Sequence, residues 1–372
     1  MTCPHCAREL RQKERTGNVC SYCGRAYALD PKTNPLRLHD LRVRRVVGKL
    51  TQEGRITITP GQLWYALSRR RLAKSEVTSG CVLPALFAGL VTGVIGTGGD
   101  LLFLRVVSGA LVLLTTGLVL MRLAGVSKGT LPQSREAFRT GPLAEWEKRY
   151  GTLPPGMVDD RRFPRSTQPA AAGSRAVLLC PDPSVAAFLA AGNLPARYGV
   201  VLAEEVRKVP ALCPEGPVIV LHDADARGHL LVREARETLP GRPVIDAGVA
   251  LRSVDGMAWA VPYRDRRDKP DSATMARLGS DDGGGVGVGV GVGVGSGDGG
   301  RRGGGLTPKE LKRLADGWRF PLVGVPPARL LAVVTRIVER TTAAVDPERR
   351  RAASVGFMTW PPAQGPAPAG ER

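Results

Sequence analysis

Acidic side chains are in short supply: 34 Asp and Glu stand against 53 Lys and Arg, leaving a net charge of +19 over 372 residues. Catalytic signatures are missing too. There is no Walker loop, no nucleophile-elbow serine, no kinase signature and no GxGxxG set between a strand and a helix. That removes the usual sequence evidence for nucleotide, dinucleotide and acyl-transfer chemistry. No signal peptide is expected, because the polar N-terminus runs straight into the first cysteine pair. Of seven cysteines, an odd number, four are bunched and three stand alone in apolar surroundings. This disfavours a disulfide framework and points to metal binding in a reducing compartment.

The basic excess is unevenly placed. Residues 1–76 carry +10, residues 77–175 carry +5, residues 176–305 carry −1 and residues 306–372 carry +5. Such a distribution suits a surface of anionic lipids at least as well as nucleic acid. Arg outnumbers Lys 43 to 10, a bias common in proteins from GC-rich genomes.

The strongest motif is the first. Cys3-Pro-His-Cys6 is followed by thirteen residues and then Cys20-Ser-Tyr-Cys23-Gly24. Each CxxC turn aims two thiolates at one point, and two turns complete a tetrahedron around Zn²⁺. Gly24 stands where such a knuckle needs a residue free to adopt positive φ. Over residues 1–28 the chain resembles the zinc-ribbon family, which implies structural Zn²⁺ on Cys3, Cys6, Cys20 and Cys23. A redox dithiol or an iron–sulfur site uses the same spacing, and His5 is an alternative ligand. So small a segment cannot bury a core, so bound metal should supply its folding energy. Zinc ribbons serve protein and nucleic-acid contacts equally well.

Residues 36–76 read as a basic helical module. Leu38, Leu41, Val43, Val46, Val47 and Leu50 recur at helical spacing, with Arg42, Arg44, Arg45 and Lys49 between them. Residues 55–59 alternate like a short strand, and Thr59-Pro60-Gly61-Gln62 opens a second helix with a capping box. The module fits either a small winged-helix-like DNA binder or a packing unit whose arginines face lipid head groups.

Two apolar runs follow, at 77–97 and 101–122, separated by a glycine turn and flanked outside by Arg and Lys. A spanning helix needs about 20 apolar residues. The runs therefore predict a two-helix transmembrane hairpin in the cell membrane, with both termini cytoplasmic by the positive-inside rule. Gly89 and Gly93 form a GxxxG that suits close packing or a homodimer. The expected partners are membrane lipids and a cytoplasmic protein. The alternative is a buried helical hairpin in a soluble core.

Residues 134–150 read as one amphipathic helix, residues 151–174 as a linker and residues 280–305 as a Gly-rich flexible tract. Residues 306–346 form a helical segment opened by the capping box Thr307-Pro308-Lys309-Glu310, and residues 347–372 a disordered tail. Between them, residues 175–270 alternate apolar runs with helical ones, which implies a parallel sheet covered on both faces. Ligands of such sheets bind outside the carboxyl ends of the strands. There the sequence places His222-Asp223-Ala224-Asp225, and two carboxylates one residue apart can share a divalent cation. The pattern over 175–250 resembles the topoisomerase–primase (toprim) domain. That resemblance implies Mg²⁺ at Asp223 and Asp225 and a glutamate after the first strand. Here Cys180-Pro181-Asp182 occupies that place, so Asp182 is the third candidate catalytic residue. His222 and His229 are expected as capping or solvated residues.

The expected fold class is a multidomain membrane protein: a zinc ribbon, a transmembrane hairpin and a Rossmann-like or toprim-like α/β domain. Three functions are compatible with it. One is a membrane-anchored scaffold or regulator whose α/β domain binds a ligand or partner without turnover. Another is a metal-dependent phosphotransfer or nucleic-acid enzyme using Asp223 and Asp225. The third is a membrane-tethered nucleic-acid-binding regulator acting through residues 1–76.

Overall fold

The computed structural model describes residues 1–74, 110, 129–162, 174–213, 215–255, 257, 259–265, 268–280, 306–345 and 351. After the cysteine segment come α1 (Asp40–Thr51), α2 (Pro60–Lys74), α3 (Arg135–Phe138) and α4 (Ala144–Tyr150). The sheet unit then runs β1 (Ala176–Leu179), α5 (Pro183–Ala191), α6 (Leu194–Tyr198), β2 (Val200–Ala203), α7 (Val209–Leu212) and β3 (Val218–Val220). It continues through α8 (Ala226–Thr238), β4 (Val244–Asp246), α9 (Leu251–Asp255), β5 (Tyr263–Arg264) and α10 (Ser272–Gly279). The described chain closes with α11 (Pro308–Ala315), β6 (Trp318–Arg319) and α12 (Pro327–Val345).

Four strands form one parallel sheet in the order β2-β1-β3-β4. Every residue of β1, β2 and β3 is buried, as expected of strands covered on both faces, and this is why they read as unbroken apolar runs. Side chains alternate between two layers. Ala176, Leu178 and Ile219 join Val185, Phe188 and Leu189 of α5 on one face. Val177, Leu179, Val218 and Val220 join Val232, Ala235 and Leu239 on the other.

The first face is extended by the segments ahead of the sheet. Val43 and Val47 of α1, Leu63, Trp64, Tyr65 and Leu67 of α2, and Phe138, Leu143 and Trp146 all belong to the same apolar cluster as the sheet. Trp64 Nε1 donates to Gln133 O at 3.0 Å and Tyr65 Oη to Val261 O at 2.8 Å. The stretch expected as one helix over 134–150 is instead interrupted by a π turn at Arg139–Leu143 that contains Pro142. Proline has no N–H to give the preceding turn, and a widened turn absorbs the mismatch. The short strand expected over 55–59 is reduced to a single parallel bridge, Ile58 to Met157.

Among the described residues no helix is long and apolar enough to cross a membrane. This corrects the expected membrane architecture. The transmembrane hairpin and the cell-membrane location with cytoplasmic termini have no structural support. The runs at 77–97 and 101–122, with Gly89 and Gly93, lie outside the described residues except for residue 110. In the neighbouring basic module, Leu63, Trp64, Tyr65 and Leu67 of α2 are all buried against the protein's own core.

Candidate metal centre

The N-terminal segment is two copies of one turn, seventeen residues apart. In the first, Cys3 N donates to Arg8 O, Ala7 N to Cys3 O and Leu10 N to Met1 O. In the second, Cys20 N donates to Arg25 O, Gly24 N to Cys20 O and Tyr27 N to Asn18 O. Each turn is pinned by an antiparallel bridge, Thr2 to Glu9 and Val19 to Ala26. Each also needs one left-handed residue, supplied by Ala7 at φ 59° and Gly24 at φ 68°.

The two turns face each other and bring their sulfurs together. Cys3 Sγ lies 3.9 Å from Cys23 Sγ, and Cys6 Sγ lies 3.9 Å from Cys20 Sγ. All four ligand atoms fall within 4.8 Å of one another. These four cysteines can hold one metal ion. Burial raises the Cys3 thiol to about 11. At Cys20 burial also acts upward, but backbone N–H groups of Cys23 and Tyr22 outweigh it and bring the thiol down to about 7. N–H donors aimed at sulfur favour the thiolate, the form that binds metal. His5 does not join the set: its Nε2 lies 3.0 Å from Ala26 O.

The turn pair is fastened to the rest of the chain through Asp40. Its carboxylate accepts from Ala28 N at 3.0 Å, from Leu29 N at 2.9 Å and from the Tyr150 hydroxyl. Arg149 Nε adds a bond of 3.2 Å to Ala26 O. Buried inside, Arg15 pairs with Asp30 at 2.9 Å.

At the carboxyl end of the sheet the acidic candidates are already engaged. Asp182 caps α5, accepting from Ser184 N at 2.8 Å and Val185 N at 3.1 Å, and it pairs with Arg135 Nη1 at 2.8 Å. Asp225 caps α8, accepting from Gly228 N at 2.8 Å. Asp223 Oδ1 accepts from Leu322 N at 2.8 Å. Loss of solvation, reinforced by Asp182 and Asp225, pushes the Asp223 carboxyl up to about 7. Among the described residues the cysteines form such a metal-competent group; Asp182, Asp223 and Asp225 do not.

The chain returns across the crevice. Ala224 and Phe320 pair as an antiparallel bridge, with Ala224 N donating at 2.9 Å and Phe320 N at 3.2 Å. Phe320 is fully buried and meets Tyr65 edge-on at 5.7 Å and Trp259 at 5.9 Å. Arg319 binds Asp268 at 2.9 Å and lies 4.0 Å from Asp225.

No protein-family model, curated protein or solved structure matches the chain. The toprim resemblance of residues 175–250 therefore has no relative behind it, while the four-cysteine pattern stands on its own geometry.

His222 is neither a cap nor solvated, as the sequence suggested. It is 3% exposed, with Nε2 donating to Asp246 Oδ1 at 3.0 Å and Nδ1 2.7 Å from Asp223 O. Burial works against its charge most strongly, but the hydrogen bond and negative charge of Asp246, the Asp223 carbonyl and Asp225 together outweigh it and raise the pKa. At Asp246 burial is again the strongest influence, but the hydrogen bond and charge of His222, the Gly248 N–H and His229 together overcome it and lower the pKa to about 2. His229, 5.4 Å away, is lowered to about 4 by burial and by His222. The sequence reading gave Asp246 no role. Its signal was a carboxylate ending the strand that pairs with β3, in register with Val220.

Proposed function

We propose that the protein is a non-catalytic binding module of regulatory or scaffolding type, in which a structural Zn²⁺ on Cys3, Cys6, Cys20 and Cys23 holds a partner-binding surface. The observation that carries this reading is exposure. Among the described residues the large apolar side chains left exposed are Val19, at 39%, and Tyr22, at 51%. Both belong to the second cysteine turn. Exposed aromatic and aliphatic residues on a rigid support are typical contact anchors. Binding without turnover is supported by the engagement of Asp182, Asp223 and Asp225, which already accept from backbone donors or pair with an arginine.

Thiolate-only ligation suits zinc held for structure, since catalytic sites keep an open position. Elemental analysis of purified protein should give about one zinc per chain. A Val19→Ser/Tyr22→Ala double variant should keep that zinc and lose the cytoplasmic protein retained by the wild-type chain in affinity capture. Capture of the same protein by the double variant would refute the partner surface.

A second reading is supported by Arg8, whose guanidinium lies 4.9 Å from the centre of the Tyr22 ring. A cation stacked on an exposed aromatic suits single-stranded nucleic acid. Salt-dependent binding of a labelled oligonucleotide, lost in Tyr22→Ala, would favour it over a protein partner.

A further inference from the structure

A cavity of about 560 Å³ lies beside the ribbon's attachment, between α1, α4 and the turn at 152–156. Small-molecule sites run from roughly 300 to 1,000 Å³ and are mainly apolar with a few placed polar groups. Here Val47, Leu153 and Pro155 supply apolar wall, and Arg44 and Glu53 are the charged groups.

Arg44 is unusually placed. Its guanidinium lies 5.8 Å from the centre of the Trp146 ring and 5.5 Å from that of Tyr150. The two rings are themselves 4.7 Å apart and tilted by 52°. Stacking holds the cation in place without neutralising it. Among the described residues no carboxylate forms an ion pair with it, and the nearby Asp40 carboxylate is taken up by Ala28 N, Leu29 N and Tyr150.

The other end of the cavity is closed by backbone in a rarely used conformation. Gln52, Glu53 and Gly54 follow one another at φ 51°, 57° and 91°. Two successive non-glycine residues in the left-handed region carry strain of the kind that clusters at binding sites. That bend turns the chain back and sets Glu53 over Gly48, its carboxylate 3.4 Å from where a Gly48 β-carbon would stand.

We infer that this cavity binds a planar aromatic anion. The ring lies on Val47, Leu153 and Pro155, the acidic group pairs with Arg44, and a hydrogen-bond donor at the far end faces Glu53. The inference is independent of the surface at Val19 and Tyr22, which lies on the second cysteine turn and contributes no residue to the cavity.

The test uses full-length, zinc-loaded protein and two fluorescent probes. Anilinonaphthalene sulfonate carries an anion, a planar ring and an N–H. N-phenylnaphthylamine has the ring and N–H without the charge. The sulfonate probe should bind one saturable site, with the uncharged probe at least about tenfold weaker, a difference of roughly 1.4 kcal/mol. Arg44→Gln should remove that preference. Gly48→Leu should abolish binding of both probes by filling the cavity. It should also fold, because leucine is the better helix former and the Glu53 carboxylate it displaces is the end of an exposed side chain. Circular dichroism and zinc content of both variants should match the wild type. The proposal is overturned if neither probe binds, if both bind equally well, or if Gly48→Leu binds as the wild type does.

Discussion

At the residue scale, backbone conformation sets the sharpest expectations. The two cysteine turns are superimposable in hydrogen bonding, yet one places glycine at the left-handed position and the other places alanine. A left-handed L-residue costs about 1–2 kcal/mol. Ala7→Gly should therefore stabilise the metal-loaded cysteine turns by up to about 1 kcal/mol, and Gly24→Ala should destabilise them by a similar amount. Chelator competition for the metal reads both; effects of the same sign from the two substitutions would contradict the duplicated-turn description. A second case is His222, clamped between two glycines. A β-carbon on Gly248 would stand 2.2 Å from His222 Nε2, and one on Gly228 would stand 2.4 Å from Nδ1. Gly248→Ala should cost about 1–3 kcal/mol of stability, as overpacked sites do. In urea unfolding, His222→Ala in the Gly248→Ala background should cost less than His222→Ala alone. The cysteine spacing made the metal site legible, because CxxC geometry is local. The clamp on His222 was not legible, since glycines 6 and 26 positions further along the chain are brought together only by the sheet.

At the scale of elements, the strands were readable for a simple reason. A strand buried on both faces has no polar side, so Ala176–Leu179 and Val218–Val220 stand out as apolar runs. Helix starts were readable where side chain and backbone meet locally. Thr307 and Glu310 close the expected capping box, with Glu310 N donating to Thr307 Oγ1 at 3.2 Å and Thr307 N to Glu310 Oε2 at 2.9 Å. What stayed hidden was the return of Arg319–Leu322 across the strand ends, a contact between chain positions about a hundred residues apart. It turns an apparent cation site into a structural junction and leaves Asp223 with a titration linked to folding. An unfolded aspartate titrates near 3.9, whereas Asp223 is pushed up to about 7. The folded chain thus holds the proton more tightly. This contribution to stability is fully present below about pH 4 and is lost as pH rises through about 7. Asp223→Asn keeps an oxygen for Leu322 N and cannot ionise. Relative to wild type, its unfolding free energy should rise by a few kcal/mol, to order of magnitude, between pH 5 and 8. Parallel pH profiles would show that Asp223 ionises freely in the fold.

At the scale of the whole molecule, the cysteine turns and the sheet have separate interiors. Cys3, Leu10, Cys20 and Tyr27 form their own small cluster, while Ala28, Leu29, Leu36 and Leu38 already belong to the large core beneath the sheet. The boundary falls at Asp40, which accepts from Ala28 N and Leu29 N and from Tyr150. What was opaque in the sequence was that residues 36–76 join the core beneath the sheet, because their arginines suggested a charged outer surface. In the fold α1 and α2 turn their apolar sides to the sheet unit. The consequence is a graded response to metal removal. A cluster of four residues cannot hold two turns together without the ion, since bound zinc supplies most of the folding free energy of such segments. The main core spans the sheet, α1, α2 and α12 and contains no cysteine of the metal set. After chelation, amide hydrogen exchange should become fast over residues 1–27 while β1, β2 and β3 keep their protection. Tyr150→Phe should widen the fast region to residues 28–38, because it removes one of the donors that hold Asp40 at the junction. Simultaneous loss of protection in the sheet on chelation would mean that the ribbon and the core fold as one unit, which their separate apolar clusters argue against.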